Sequence, residues 1–281
     1  MALALNPRFW RIKMFDDNIR VEPIPERVFE LCKLVSRKSE KESYFRNLME
    51  PESINTSSTV YFGIVRDVAI ELGIIKKTGD SLEFVADKSV IKNLNSFRRY
   101  CNSLVWKRKD TYFYKIAKCF VESNDAWLQY STLTDVNITK EVREKTGISN
   151  VQSVYMLGSR FWISFLGFGY IQEAANMNFL PNMYIALKDF ILLSDFEKGK
   201  EYTVSEFLSK IMDISSVAIE DGIQNKTLNL AISNALRQLH DSKEITLAHH
   251  LDSKEVWHLF VNNSHQFVSD VTHLTYKGVK A

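Results

Sequence analysis

The chain has 281 residues and a net charge of +2, with 45% hydrophobic and 25% charged residues, which is typical of a globular protein with its own core and excludes a chain that is strongly basic throughout. Its three cysteines are odd in number and far apart in sequence, which predicts reduced thiols and a cytoplasmic location. No segment approaches about 18 apolar residues in a row and no secretion signal is visible, so we expect no membrane partner.

The first predicted unit spans residues 1–91, and a helix followed by a β-hairpin forms its centre. The apolar residues of this helix recur at intervals of three or four: Tyr61, Ile64, Val65, Val68 and Leu72. Ser57 and Ser58 are predicted caps at its start, and Gly73 is a predicted cap at its end. Short apolar runs on both sides of a Gly-Asp turn predict the hairpin. Arg66 lies on the exposed helix face, where contact with a DNA base is one open role.

A basic and aromatic connector covers residues 88–118. It contains nine lysine and arginine residues and a single acid, Asp110, so it carries a net charge of +8. The candidate contacts to DNA phosphates are Arg98, Arg99, Lys107, Arg108 and Lys109. A solvated surface without a ligand accounts equally well for these cations, and both interpretations stay open. The six aromatic residues among them are expected to lie in the core rather than to stack on bases.

The second predicted unit, residues 92–190, consists of this connector and another helix with a wing. The apolar face of the helix is predicted from Val154, Leu157, Gly158, Phe161 and Phe165. The helix ends at a Leu-Gly pair, as the helix of the first unit does, and a strand follows. Gln152 and Arg160 are expected on its exposed face, where they are candidates for hydrogen bonds with DNA.

The third predicted unit, residues 191–281, repeats the pattern. A helix begins near residue 227, and strands at 244–251 and 255–261 are predicted to pair across an Asp-Ser-Lys turn. Asn234, Arg237 and Gln238 are expected to point outward from the helix and are candidate contacts to DNA bases and phosphates. An ordinary solvated helix face has the same composition, so this alternative also stays open.

No catalytic or metal site is expected. All six histidines are close together in sequence: His240, His249, His250, His258, His265 and His273. The adjacent pair within this set points to opposite faces of a strand, and the spacing of a helical zinc site is absent. The sequence also contains no phosphate-binding loop and no nucleophile elbow. We therefore predict no enzymatic activity and no cofactor.

These patterns predict a mainly α fold with small β-wings, in three tandem winged-helix domains. The segments that resemble winged-helix domains are IELGIIKKTGD, FWISFLGFG and ALRQLHDSKEITL with KEVWHLF. The order of FWISFLGFGYI, LPNMYIAL and a C-terminal winged helix also resembles the DpdG-like accessory proteins of bacterial DNA-modification and phage-defence gene clusters.

The resemblance implies a non-catalytic subunit that binds double-stranded DNA and the protein subunits of a defence or DNA-modification complex. We expect such DNA binding to be weak and to have little sequence preference. The alternative is a protein–protein scaffold without DNA binding, because winged-helix modules also serve in that way. A continuous basic stripe would favour DNA, and a large exposed apolar patch would favour a partner protein.

Overall fold

The computed structural model describes residues 14–17, 19–53, 61–130, 132, 134–172 and 178–279. In this part of the chain about half of the residues are helical, in ten α-helices, and the strands form small antiparallel sheets. The prediction of a mainly α protein with small β elements is confirmed. None of the helices in these ranges is long and apolar enough to cross a membrane.

The N-terminal part contains three helices and a three-stranded sheet. The elements are α1 (Pro25–Arg37), β1 (Glu40–Lys41), α2 (Glu42–Met49), α3 (Phe62–Glu71), β2 (Ile75–Thr78) and β3 (Ser81–Phe84). The strand order is β1-β3-β2, and the predicted hairpin pairs Ile75 with Phe84. Gly73 has a φ of 68°, which makes it the left-handed residue after α3. The predicted caps Ser57 and Ser58 lie outside the described residues.

The middle part is formed by four helices and a two-stranded hairpin. The elements are α4 (Leu94–Asn102), α5 (Tyr112–Glu122), α6 (Val136–Thr146), α7 (Ser153–Phe165), β4 (Gly169–Gln172) and β5 (Asn178–Pro181). Gly147 follows α6 with a φ of 71°, in the left-handed conformation that commonly ends a helix. The connector is not an extended arm, because it forms α4 and most of α5.

The C-terminal part contains three helices and five strands. The elements are α8 (Tyr184–Leu193), β6 (Glu201–Thr203), α9 (Val204–Met212), α10 (Leu230–Asp241), β7 (Ile245–Ala248), β8 (Trp257–His258), β9 (Asp270–Val271) and β10 (His273–Tyr276). The predicted pairing of 244–251 with 255–261 is wrong: β10 lies between β6 and β7, and β8 pairs with β9. Leu274 on the central strand β10 is fully buried beside Leu247 on β7. Burial of this apolar pair favours the pairing of β7 with the distant β10 over a hairpin with the next segment.

Aromatic side chains of the connector lie in the core that joins these parts. Phe97, Trp106, Phe113 and Tyr114 are buried, and the Trp106 ring lies 4.5 Å from that of Phe168. The expectation that the connector aromatics serve packing rather than base stacking is confirmed for these four. The predicted boundary between residues 190 and 191 falls inside α8, which packs against both α4 and α10.

Candidate interaction surfaces

Arg98 and Arg99, two of the predicted phosphate contacts, meet a carboxylate inside the protein. The carboxylate of Asp189 on α8 is 1% exposed and accepts hydrogen bonds from Arg98 Nε at 2.7 Å and Arg98 Nη2 at 3.2 Å. It also accepts one from Asn102 Nδ2 at 3.0 Å, and Arg99 Nε lies 3.6 Å away. The ion pair between Arg98 and Asp189 therefore connects α4 to α8, and it leaves the Arg98 guanidinium with little attraction for an external phosphate.

The next three predicted contacts are exposed, but two of them are paired with acids. Arg108 Nη1 donates to Asp16 Oδ2 at 3.0 Å, and Lys109 Nζ donates to Glu220 Oε1 at 2.9 Å. Lys107 has no ion-pair partner among the described residues. Exposed ion pairs contribute little to stability, yet each carboxylate cancels a positive charge in the surface potential. The field at this surface is therefore weaker than the sequence indicates.

Acids from distant parts of the chain neutralise much of the connector. Asp16, Asp189, Glu220 and Asp221 each lie within ion-pair distance of one of its cations. The connector lysines without a carboxylate partner in the described ranges are Lys88, Lys92, Lys107 and Lys115. These four lysines are the available cations of the connector, and Lys107 is the only one of them among the five predicted residues.

A carboxyl pair joins α5 to the short 3-10 turn at Glu220–Gly222. Burial and a hydrogen bond with Asp221 together raise the pKa of Glu122 to about 8. Two clefts of about 510 and 490 Å³ adjoin this pair. The nearby Cys119 is no nucleophile at neutral pH, because burial raises its pKa to about 12. The pair is a protonated link between two parts of the fold.

The N-terminal segment covers one face of α7. The Trp162 indole donates to the carbonyl oxygen of Pro23 at 2.8 Å, and the position of a Gly158 Cβ would lie 2.4 Å from the backbone oxygen of Arg20. Gln152 is exposed, but Arg160 is buried, and burial lowers its pKa. The expectation that Arg160 points outward is wrong.

A loop covers the corresponding face of α10. We call residues 259–269, between β8 and β9, the strap. Arg237 is 3% exposed, and its guanidinium donates to the carbonyl oxygens of Phe260, Phe267 and Val268 at 2.7, 3.1 and 2.8 Å. Asn234 is partly exposed and Gln238 is exposed. The outward position predicted for Arg237 is wrong, because the backbone of the strap occupies the space beside it.

The helix of the first unit has a paired cation as well. Arg66 on α3 donates to the carboxylates of Asp67 and Glu42, and Glu42 also accepts from Lys77 on β2. These contacts connect the helix to the hairpin and to α2. Within the described ranges, no group of three or more histidine, cysteine, aspartate or glutamate residues could hold a metal ion.

The comparisons with known proteins identify no relative. No protein-family model, no curated protein and no solved structure matches the chain. The surfaces described above are therefore the basis for a functional proposal.

Proposed function

We propose that the chain is a non-catalytic accessory subunit of three winged-helix units and that it acts through contacts with partner proteins. The strand orders support the three-unit architecture. The first sheet has the order β1-β3-β2 and the last has the order β6-β10-β7, so in both the third strand lies between the other two. In both, two helices separate the first strand from the second, which is winged-helix connectivity. In the middle unit, the three helices α5, α6 and α7 follow α4 and precede the hairpin of β4 and β5.

We favour contacts with proteins over contacts with DNA because α7 and α10 are covered. In DNA-binding domains of this kind, one helix enters the major groove and presents its outer face to the bases. Here Phe15, Arg20 and Pro23 lie on α7 and the strap lies on α10, so neither face is open. Arg66 on α3 is bound to acids. A subunit in which two of these helices are covered and the arginine of the third is paired is suited to contacts through its other surfaces.

The resemblance to DpdG-like accessory proteins supplies the proposed context. The partners would be the subunits of a bacterial DNA-modification or phage-defence complex in the cytoplasm. In such a complex this chain would hold or orient an enzyme subunit and perform no chemistry of its own.

Binding to the DNA backbone is the second candidate, and the four unpaired connector lysines favour it. Phosphate contacts need positive charge but no open helix face, and they do not read sequence. If all four lysines contact phosphate, the affinity should fall with salt at a log–log slope of roughly −3 to −4, since each contact contributes about −0.9.

A duplex-binding titration over a range of salt concentrations separates the two candidates. The test variant replaces Lys88, Lys92, Lys107 and Lys115 by alanine. The matched control has the same change in net charge but removes surface lysines that are paired elsewhere: Lys33, Lys76, Lys140 and Lys200. The protein-contact proposal expects no duplex binding by wild type even at low salt. It also expects a complex with a protein encoded by a neighbouring gene that survives high salt on gel filtration. Duplex binding that only the test variant loses would refute it in favour of DNA.

A further inference from the structure

The strap contacts α10 through several hydrogen bonds, and its apolar anchors are the buried Leu259 at one end and the Phe267 ring, which packs against the core. In addition to the three bonds from Arg237, the Phe260 amide donates to Ser233 Oγ at 2.8 Å. Val261 and Val268 are 61% and 41% exposed, so the strap places much of its apolar surface in water. A segment with few buried apolar side chains opens at low free-energy cost compared with the core.

The cation under the strap has no carboxylate counter-ion in the described part of the chain. Three carbonyl oxygens accept from Arg237, but its buried Nη1 has no hydrogen-bond partner there, and burial lowers the pKa of the group. Burial of an arginine without an opposite charge is costly, since the guanidinium stays charged at any ordinary pH. The closed state therefore carries an electrostatic penalty that an oxyanion on Arg237 would remove.

One histidine of α10 lies directly against the strap. His240 contacts the side chain of Gln266, and its ring lies 5.0 Å from that of Phe267. On its other side, His240 Nδ1 accepts the Leu247 N–H from β7 at 3.1 Å. A protonated His240 would have an N–H at Nδ1, so it would oppose the backbone N–H that it now accepts.

The charged surroundings make protonation of His240 unfavourable in the closed state. Burial lowers its pKa, the adjacent carboxylate of Asp241 raises it, and His265 lowers it. His265 Nε2 lies 3.1 Å from Asp241 Oδ1, so this carboxylate faces both rings. Because the closed state holds the His240 proton less tightly than an open state would, the closed state loses stability as the pH falls through the ordinary histidine range.

We propose that the strap is a releasable cover over an oxyanion-binding face of α10. Arg237 and Ser233 form the centre of that face, and Asn234 and Gln238 adjoin it. The carbonyl oxygens of the strap now occupy the places that phosphate oxygens would take on the guanidinium. The ligand is therefore a phosphate-rich molecule, either a free polyphosphate or the backbone of a nucleic acid. The inference concerns the open form, so absence of duplex binding by the closed chain does not decide it.

Hydrogen exchange of the strap amides tests whether the cover opens and whether His240 controls the opening. The reporters are the N–H groups of Phe260 and Phe267, expressed as protection factors so that the intrinsic pH dependence of exchange is removed. Between neutral and mildly acidic pH we expect protection to fall by up to about tenfold per pH unit, because His240 takes up a proton on opening. Asparagine keeps an acceptor near the Nδ1 position but does not titrate, so the variant His240→Asn should stay protected. His249→Asn, at an exposed position, is the matched control and should behave as wild type. Equal protection at both pH values in wild type, or the same loss in His240→Asn, would overturn the role of His240 in opening.

A shortened strap tests the surface beneath it at neutral pH. Leu259 N donates to Ser269 O at 2.7 Å, so an Asn-Gly turn can replace residues 260–268. We expect this variant to bind tripolyphosphate or a DNA duplex about tenfold or more tightly than wild type, and Arg237→Met in the shortened chain to remove the gain. Binding of the duplex alone identifies a nucleic acid, and binding of both probes identifies phosphate chemistry in general. The milder variant Phe267→Ala removes a ring that packs 5.0 Å from that of His240, so it weakens the cover in the full-length chain and should give a smaller gain. If neither variant gains affinity while both retain the wild-type circular dichroism, the surface is not an oxyanion site.

Discussion

Replacement of Asp189 by alanine should be among the most damaging single substitutions in this chain. The carboxylate is buried and accepts three hydrogen bonds, two from Arg98 and one from Asn102, with Arg99 close by. Its removal leaves the amide of Asn102 and the guanidinium of Arg98 without their acid. Because α4 and α8 meet at this point, the loss affects the contact between the connector and the C-terminal part.

The expected size follows from the burial of the partners. Loss of one member of a buried ion pair costs about 3–5 kcal/mol. The side chains of Arg98 and Arg99 are 16% and 27% exposed, so both can turn partly toward water, and the lower end of about 3 kcal/mol applies. For a chain of this size such a loss lowers the melting temperature by roughly 6–12 °C.

Urea unfolding followed by tryptophan fluorescence measures this change. Trp106 is a local reporter, since its indole donates to Asn102 Oδ1 at 3.0 Å. The control is Glu220→Ala, which breaks the exposed pair with Lys109 and should cost less than about 1 kcal/mol. The double variant Asp189→Ala, Arg98→Ala should be less destabilised than the sum of the single variants. If Asp189→Ala costs no more than Glu220→Ala, the assignment of Asp189 as a buried charge anchor is refuted.

Three further substitutions test other parts of the fold. Burial and Asp221 raise the pKa of Glu122 from 4.5 to about 8, so the folded state holds this proton more tightly than the unfolded state does. The stability of the wild type should therefore fall as the pH rises from about 4.5 to 8. Urea titrations at several pH values should show that Glu122→Gln flattens this fall. Gly158→Ala places a methyl group 2.4 Å from the backbone oxygen of Arg20 and should cost about 1–3 kcal/mol and speed proteolysis near residue 20, whereas unchanged cleavage would contradict the packing on α7. Thr203→Ala removes a capping box and should cost about 1 kcal/mol in urea unfolding, which Thr203→Ser should largely restore.

The sequence predicts the local elements well, because their signals are local. The helical spacing of apolar residues gives α3 and α7, and Gly73 correctly marks the end of α3. The hairpin of β2 and β3 follows from two short apolar runs around one turn. The pairing of β7 with β10 could not be predicted in this way, because the partner strand lies beyond an intervening pair of strands.

The state of the connector cations was not predictable from the sequence because their partners are distant. Arg98 and Asp189 are 91 residues apart, and Lys109 and Glu220 are 111 residues apart. A local net charge counts only neighbours in sequence, so it reports +8 where the folded surface holds fewer free cations. The same limitation applies to any basic segment that lies between packed domains.

The sequence of α10 contains only a weak signal that the outer face of this helix is covered. The polar residues on this helix include Ser233, Asn234, Arg237 and Gln238. Their composition alone does not distinguish a solvated helix face from a covered one. The exposed positions of α10 form one narrow strip: Gln238 and Asp241 are exposed, and Asn234 is partly exposed in line with them. Ala231, Ser233 and Ala235 are buried on the remaining surface, and small residues at such positions indicate close approach of other chain segments. The groups that contact Arg237 are backbone carbonyl oxygens. Every residue has one, so the sequence of the strap does not indicate that they would contact this side chain. The burial of an arginine by carbonyl oxygens is therefore the step at which sequence reasoning fails and structure is required.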